Sequence, residues 1–174
     1  MPVITESYRD LNRRLHETRP DYGAGIATRQ FYGPIGELAR NLVAKSILDY
    51  GCGKGGLGRA LSHMTVIGYD PAIPGLDKRP SPADLVVCTD VLEHIEPECL
   101  DEVLDDLMRC AAKGVFLTVA TRPAQKVLED GRNAHLIQQG ADWWVPKLMA
   151  RWEMWVFQAQ ADEFVFVGRV RAKR

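Results

Sequence analysis

The sequence lacks any hydrophobic run long enough to cross a bilayer, which takes about 20 consecutive apolar residues. Its first ten residues also lack the basic and then apolar pattern of a secretory signal. The four cysteines form no C-x-x-C pair, which argues against a zinc knuckle. We therefore expect a cytoplasmic protein with reduced thiols and without a membrane partner.

The sequence also has little excess charge of either sign. Its formal net charge is -1, so no overall field directs the chain to nucleic acid. Basic residues do cluster near the two ends, at 13–19 and 169–174. Such terminal clusters are usually solvated, so they do not favour a nucleic-acid partner. Binding of nucleic acid nevertheless stays open as an alternative.

The 174 residues are predicted to form one domain, residues 1–174. Residues 1–44 form a helical extension, and from residue 45 onward short apolar strands alternate with helices. This alternation is typical of an α/β fold whose parallel sheet is covered on both faces. A closing hairpin should add an antiparallel strand. The predicted strands are 46–50, 65–70, 84–89, 115–120, 153–159 and 163–171; the predicted helices are 4–19, 35–43, 56–63, 99–112 and 143–152, with one more between residue 120 and residue 130.

The first predicted strand ends in a glycine-rich turn, DYGCGKGG, over residues 49–56. Glycines allow the backbone to turn tightly and to approach a ligand, and the following helix presents free N–H groups. The second strand ends in Asp70 about 20 residues after the first glycine, where a carboxylate can accept hydrogen bonds from the ribose hydroxyls of an adenosine. NAD and S-adenosylmethionine both carry such a ribose, so these residues alone leave both cofactors open.

Three further features favour S-adenosylmethionine. Asp49 lies two residues before Gly51, where an acid suits a cationic methionine group and does not suit a pyrophosphate. The third strand runs directly into the polar turn 90–94, at the edge of the sheet where ligands bind. The length of the chain leaves no substrate domain of the kind that most dehydrogenases add.

The segments ILDYGCGKGGLG (47–58), VIGYDPA (66–72) and DLVVCTDVLEHI (84–95) resemble, in this order, the cofactor motifs of class I (Rossmann-like) S-adenosylmethionine-dependent methyltransferases. The resemblance covers roughly residues 45–120 and implies a three-layer fold with S-adenosylmethionine as cofactor. The implied cofactor contacts are Asp49, Gly51, Gly53 and Gly55 at the methionine part, Asp70 at the ribose, Asp90 and Val91 beside the sulfonium and adenine, and their chain neighbours Tyr50, Cys52, Tyr69 and Pro71.

The chain departs from this family between the second and third strands. The family has a further helix and strand there, but the proline-rich segment 71–83 is too short for such a crossover. We therefore predict that this edge unit is missing or vestigial. The family's acidic residue that reads the adenine amino group normally follows that unit, and Asp77 is the available substitute.

The turn from Asp90 to His94 has three interpretations. Its Glu93 and His94 could pack beneath the cofactor or cap the next helix. An acid followed by Glu-His also resembles the E-x-x-E-H metal motif of small-RNA 3′-end 2′-O-methyltransferases and of ubiquinone-biosynthesis O-methyltransferases. In that case Asp90, Glu93, His94 and the later His135 would hold Mg²⁺ or Mn²⁺. In the third interpretation His94 or His135 is a general base without metal.

The predicted function is direct methyl transfer to an O or N atom of a small substrate, with Glu93, His94 and His135 as candidate catalytic residues. The alternatives are a metal-dependent RNA or nucleotide 2′-O-methyltransferase and a non-catalytic cofactor- or NAD-binding module. The chain is expected to act as a monomer or homodimer.

The sequence also predicts roles for three further groups of residues. The extension 1–44 is similar to the lids of related enzymes, so His16 or Tyr22 could touch cofactor or substrate. The polar loop 130–135 is a candidate substrate contact. The tryptophans are expected to pack in the protein rather than to form a stacking platform; they are Trp143, Trp144, Trp152 and Trp155.

Overall fold

A computed structural model describes residues 2–171, so Lys173 and Arg174 of the basic C-terminal cluster lie outside the described residues. The strands are β1 (Ile47–Tyr50), β2 (Val66–Tyr69), β3 (Ala83–Thr89), β4 (Ala111–Ala120), β5 (Glu153–Ala159) and β6 (Glu163–Arg169). They form one sheet in the order β2-β1-β3-β4-β6-β5. The first four strands are parallel, and β6 lies antiparallel between β4 and β5. The predicted sheet with its antiparallel hairpin strand is confirmed.

Five helices accompany the sheet in the described part of the chain: α1 (Glu6–Thr18), α2 (Tyr32–Asn41), α3 (Gly56–Ala60), α4 (Leu100–Cys110) and α5 (Ala141–Arg151). The helix α4 illustrates why they form. Its buried residues Leu100, Val103, Leu104 and Leu107 recur at helical spacing, so they make one apolar stripe. Short 3₁₀ turns precede α2 and α4, at Ala27–Phe31, Leu92–His94 and Pro97–Cys99.

The helices cover both faces of the sheet because neighbouring strand residues point in opposite directions. Ile47 packs with Ile35 of α2 and Leu57 of α3 on one face. Its neighbour Leu48 belongs to the cluster that contains α4 and the buried Trp144 of α5 on the other face. This three-layer arrangement confirms the predicted fold class.

The strand β2 forms one edge of the sheet, as predicted for a chain that lacks the family's edge unit. All of residues 70–82 are described, and they contain neither a helix nor a strand. They begin with a seven-residue loop that is closed where the Asp70 N–H donates to the carbonyl of Leu76 at 3.0 Å.

The helix predicted between β4 and residue 130 is wrong. Residues 121–140 are all described and contain no helix. Instead, the Asn133 side chain both accepts from the Ala124 N–H and donates to the Ala124 carbonyl, each at 2.9 Å, and so closes a loop. These side-chain bonds satisfy backbone groups that a helix would have paired. The predicted helix 56–63 is also shorter, ending at Ala60.

The helix α1 packs on this loop rather than on the sheet. Its Tyr8, Leu11 and Leu15 form an apolar cluster with Leu128 and Ala134. Thr5 caps the helix start and bonds to the carboxylate of Glu96, and the Tyr8 hydroxyl donates to the His94 carbonyl at 2.9 Å. These contacts bring the C-terminal end of α1 to the glycine-rich turn. None of the described helices is long and apolar enough to cross a membrane.

Candidate functional site

The glycine-rich turn joins β1 to α3 at the carboxyl end of the sheet. The N–H groups of Gly51 and Cys52 both donate to the Tyr69 carbonyl, at 2.8 and 3.0 Å. Gly51 has φ 78°, in the left-handed region, and a Cβ there would lie 2.5 Å from Cγ2 of Val91. Only glycine fits between these two strand ends, so the turn is held close to β2 and to the polar turn that follows β3.

The carboxylate of Asp70 lies beside this turn and is 7% exposed. Its Oδ2 accepts from the Gly53 N–H at 3.1 Å, and its Oδ1 accepts from the Ala72 N–H at 3.0 Å. Nε2 of His16 lies 3.8 Å from the same Oδ2. A carboxylate offers about four lone-pair sites, so Asp70 can still accept hydrogen bonds from a ligand.

The second buried acid of the turn is Asp49, which is 6% exposed. Burial is the main cause that raises the pKa of this carboxyl, to about 7, and the charge of nearby Asp70 adds to it. A cationic ligand at the turn would favour the ionised form of Asp49 and lower its pKa. The pair of acids can therefore interact favourably with a cationic group at this part of the turn.

The predicted cofactor contacts also include residues whose side chains face the core. The Tyr50 hydroxyl donates to Oδ2 of Asp106 at 3.2 Å, and the Tyr50 and Tyr69 rings lie 4.7 Å apart. Burial raises the pKa of the Cys52 thiol to about 12, so it is not a nucleophile at neutral pH. These three side chains support the turn from within. Gly55 (φ 69°) is the N-cap of α3, and Pro71 separates Asp70 from Ala72.

Lys54 holds the end of the N-terminal extension against the turn, a role that sequence reasoning missed. Its Nζ donates to the carbonyls of Arg19 and Pro20 at 2.9 and 2.8 Å, and its N–H donates to the carbonyl of Gly23 at 2.8 Å. No local pattern marks these partners, because they lie more than 30 positions away along the chain. The extension therefore covers the glycine-rich turn. This is the position that the lid predicted from the sequence would need.

A second polar group lies on the other side of the turn. Asp90, His94 and His135 each offer a ligand atom, and these atoms lie within 4.8 Å of one another. Nδ1 of His94 is 2.8 Å from the Ala134 carbonyl, and Nδ1 of His135 is 2.6 Å from the Arg122 carbonyl. A carbonyl oxygen only accepts, so each Nδ1 carries a hydrogen and each Nε2 keeps its lone pair in the neutral ring.

The His94 ring is neutral at pH 7 because burial lowers its pKa to about 4, although the charge of Asp90 acts in the opposite direction. Two imidazole nitrogens and one carboxylate oxygen are a donor set suited to a divalent transition metal. The same free nitrogens can also accept a proton. Both chemical interpretations of this turn therefore have a geometric basis in Asp90, His94 and His135.

Glu93 does not join this group. It is fully buried, and its Oε1 accepts from the Ala120 N–H at 2.7 Å, at the end of β4. Burial and the charge of Asp90 raise its pKa to about 8, so the carboxyl is protonated at neutral pH. The predicted metal set therefore loses Glu93, whose environment matches the packing interpretation instead.

The tryptophans divide between core and surface. Trp144 and Trp152 are completely buried, so neither can stack on a substrate, and the packing prediction is confirmed for both. Trp143 packs edge-on against Trp144, with ring centres 5.0 Å apart. Cζ of the Arg169 guanidinium lies over Trp155, 3.5 Å from the centre of its ring.

Residues 21–163 match the family model described as "Methyltransferase domain". The chain belongs to this methyltransferase family. The resemblance to class I S-adenosylmethionine-dependent methyltransferases is confirmed, and the matched residues contain the whole of the glycine-rich turn, Asp70, and the group of Asp90, His94 and His135. A comparison with curated proteins finds no significant match.

Solved methyltransferase structures share the fold at low identity. An O-methyltransferase family protein from Burkholderia thailandensis has a TM-score of 0.67 and 11% identity; the match covers 100% of this chain and 65% of that one. The 1,6-didemethyltoxoflavin-N1-methyltransferase of the same organism, with S-adenosylhomocysteine bound, has a TM-score of 0.70 and 16% identity. The match covers 99% of this chain and 93% of that one. The magnesium protoporphyrin IX methyltransferase of Synechocystis PCC 6803, also with S-adenosylhomocysteine, has a TM-score of 0.62 and 14% identity over 95% of each chain.

Proposed function

We propose that this methyltransferase-domain protein binds S-adenosylmethionine at its glycine-rich turn and directs its methyl group to an O or N atom of a small acceptor. The observation that carries the proposal is the pair of buried acids at the turn. Asp49 provides a negative site for the cationic methionine end, and Asp70 keeps lone pairs for the ribose hydroxyls. A cavity of about 420 Å³ opens beside Gly53–Gly55, within the size range of small-ligand sites.

The residues of the chain then contribute by positioning the acceptor atom relative to the methyl group. The sulfonium of the cofactor supplies an already activated methyl group, so alignment of the acceptor atom can account for much of the rate. The polar turn after β3 places Asp90 and His94 next to the glycine-rich turn, because Val91 packs on Gly51. The free nitrogen of His94 or His135 can accept the proton that an acceptor hydroxyl or amine loses. The structural relatives include both O- and N-methyltransferases, which supports an O or N acceptor without choosing between them.

Calorimetry with S-adenosylmethionine, S-adenosylhomocysteine and NAD tests the binding part of this proposal. We expect binding of both sulfur compounds and none of NAD. Tight NAD binding without S-adenosylmethionine binding would contradict the proposal. A methyl-donor assay against pooled metabolites, tRNA and small RNAs, with and without Mg²⁺ and Mn²⁺, would then identify the acceptor.

The affinity for S-adenosylmethionine should rise with pH because the pKa of Asp49 in the free protein is raised to about 7. Below that pH the carboxyl is mostly protonated, and a cationic ligand must displace the proton to gain its full attraction. Between about pH 6 and pH 8 the Kd should fall roughly tenfold. The Asp49→Asn variant should bind more weakly and lose this dependence; an unchanged pH profile in the variant would show that another group is responsible.

A second candidate function is metal-assisted methylation of a hydroxyl, including a ribose 2′-hydroxyl of RNA or a nucleotide. The specific observation in its favour is the convergence of Asp90, His94 and His135 within 4.8 Å. The two Nδ1–H groups donate to backbone carbonyls, the usual arrangement behind metal-binding imidazoles. A divalent ion held there would polarise an acceptor hydroxyl and lower its pKa.

Mn²⁺ should bind this group more tightly than Mg²⁺, since two of the three donors are imidazole nitrogens. The free-ion signal in electron paramagnetic resonance measures Mn²⁺ binding directly. We expect His94→Ala to weaken it by roughly 10- to 100-fold. His63→Ala is the matched control, because His63 is exposed and lies outside the group. If the unaltered protein binds no Mn²⁺, the metal candidate fails and the histidines remain as general bases.

A further inference from the structure

A second cavity, of about 330 Å³, lies between the N-terminal extension and the loop that follows β4. Its volume is within the size range of small-ligand sites. Buried apolar side chains form its floor, and exposed side chains surround its mouth. The floor consists of Leu15, Leu128 and Ala134, and the mouth of Arg19, Gln125, Lys126 and Val127. A ligand that fits this space has an apolar body and a polar end.

The aromatic ring of Tyr22 forms the side of this cavity that faces the glycine-rich turn. It meets His16, which lines the first cavity, edge-on with ring centres 4.7 Å apart. The Tyr22 hydroxyl donates to Oδ1 of Asn12 at 2.5 Å, which fixes the ring. The two cavities therefore share a wall that consists of His16 and Tyr22.

The second cavity also adjoins the group of Asp90, His94 and His135. The carbonyl of Ala134 accepts from Nδ1 of His94 at 2.8 Å, and His135 is the next residue in the chain. Burial is the main cause that raises the pKa of the Tyr22 hydroxyl, and the charge of Asp90 adds to it. A molecule in this cavity is therefore close to the nitrogens that could take a proton from it.

The charged side chains in the described lining of this cavity, Arg19 and Lys126, are both cations. Within residues 2–171 the Arg19 guanidinium makes no hydrogen bond or ion pair. Nζ of Lys126 binds one carboxylate, with Oδ2 of Asp21 at 2.6 Å. Asp21 is exposed and does not line the cavity, so a ligand anion can replace it on Lys126 while Asp21 turns into solvent. The mouth therefore attracts anions, in contrast to the acidic glycine-rich turn.

We infer that the second cavity holds the methyl acceptor, and that this acceptor carries an oxyanion, a carboxylate or phosphate, which binds Arg19 and Lys126. The inference rests on the proposed methylation of a small acceptor. Hydrogen bonds between ionised partners are about twice as strong as neutral ones, so the two cations favour an acid over its neutral analogue. The apolar floor and the ring of Tyr22 suit an aromatic body. The N-terminal extension is thus part of the acceptor site.

The test compares 4-hydroxybenzoate with 4-hydroxybenzamide, which have nearly the same shape and differ in charge. Phenyl phosphate represents the other oxyanion. Ligand-detected NMR titrations measure the Kd of each probe on protein saturated with S-adenosylhomocysteine. We expect the benzoate to bind about five- to tenfold more tightly than the benzamide, as for one hydrogen bond between charged groups. The tighter of the two anions identifies the oxyanion that the site prefers.

Arg19→Ala and Lys126→Ala should each reduce the preference for the benzoate to about twofold or less. Asp21→Asn should instead tighten benzoate binding about two- to threefold, because it removes the carboxylate that competes for Lys126. A purely structural role of Lys126 would not produce this gain. Arg40→Ala is the matched control, since Arg40 is exposed on α2 and lines neither cavity. All four residues are exposed, so the unfolding temperature should not change.

Equal binding of 4-hydroxybenzamide and 4-hydroxybenzoate would overturn the inference. So would the absence of binding of all three probes, or an equal loss of preference in Arg40→Ala and Lys126→Ala. In each of these cases the proposed function stands if calorimetry shows binding of S-adenosylmethionine and S-adenosylhomocysteine. If neither sulfur compound binds, the proposed function fails and the inference about its acceptor fails with it.

Discussion

Replacing Asp70 by asparagine should weaken S-adenosylmethionine binding by roughly 100-fold or more, because hydrogen bonds to a charged acceptor are worth about 1.5–3 kcal/mol each. The carboxylate is almost completely buried, and both of its oxygens are oriented by backbone N–H groups, those of Gly53 and Ala72. An asparagine side chain keeps only one acceptor oxygen, so it cannot serve two ribose hydroxyls and both N–H groups. Calorimetry with S-adenosylmethionine measures the loss.

The control for this prediction separates binding from folding. Asp77→Asn changes an exposed acid of the same loop, which accepts a hydrogen bond from the Gly75 N–H, and it should change the affinity less than about twofold. Far-UV circular dichroism should show that both variants are folded. An Asp70→Asn variant that is folded and binds S-adenosylmethionine as tightly as the unaltered protein would rule out Asp70 as the ribose acceptor.

Replacing Trp152 by alanine should lower the free energy of unfolding by about 3–5 kcal/mol. Trp152 follows α5, is completely buried, and lies in the cluster that joins α4 and α5 to the sheet. A Cβ on Gly168 would lie 2.7 Å from Cβ of Trp152, so the backbone of β6 is already close on one side. The surrounding atoms therefore cannot move in to fill a cavity of this size. Urea unfolding followed by circular dichroism measures the change.

Trp155→Ala is the matched control for Trp152. Trp155 lies on the edge strand β5 and is 40% exposed, so its removal should cost about 1 kcal/mol or less. Equal losses in the two variants would show that burial in this cluster does not determine their effect. Neither side chain touches the proposed cofactor site, so the folded variants should bind S-adenosylmethionine normally.

The strand, turn and helix around the glycine-rich turn were predicted from the sequence because their geometry is local. A strand, a glycine-rich turn and a helix follow one another within residues 47–60, and the turn brings Asp49 and its glycines together without help from distant residues. Asp70 ends the adjacent parallel strand, so its position follows from β-sheet pairing alone. The absence of the edge helix and strand could also be predicted from the sequence, since a proline-rich segment as short as residues 71–83 cannot form a crossover.

The structure around the polar turn 90–94 was predicted less well because its parts come together over long distances in the chain. Glu93 and His94 are neighbours in the chain, but the backbone turns so that one enters the core at Ala120 and the other reaches His135. No sequence pattern distinguishes these two directions. The loop 121–140 was expected to begin with a helix, and the side chain of Asn133 closes it instead.

By itself the sequence determined the fold class, the family and the glycine-rich turn, because strand alternation and such a turn depend on residues close together in the chain. Only the tertiary structure decided that α1 lies over that turn and that its His16 lies beside Asp70. It also decided which three of four metal-ligand candidates meet. These contacts join residues far apart in the chain, and such contacts depend on the packing of the whole core rather than on local preference.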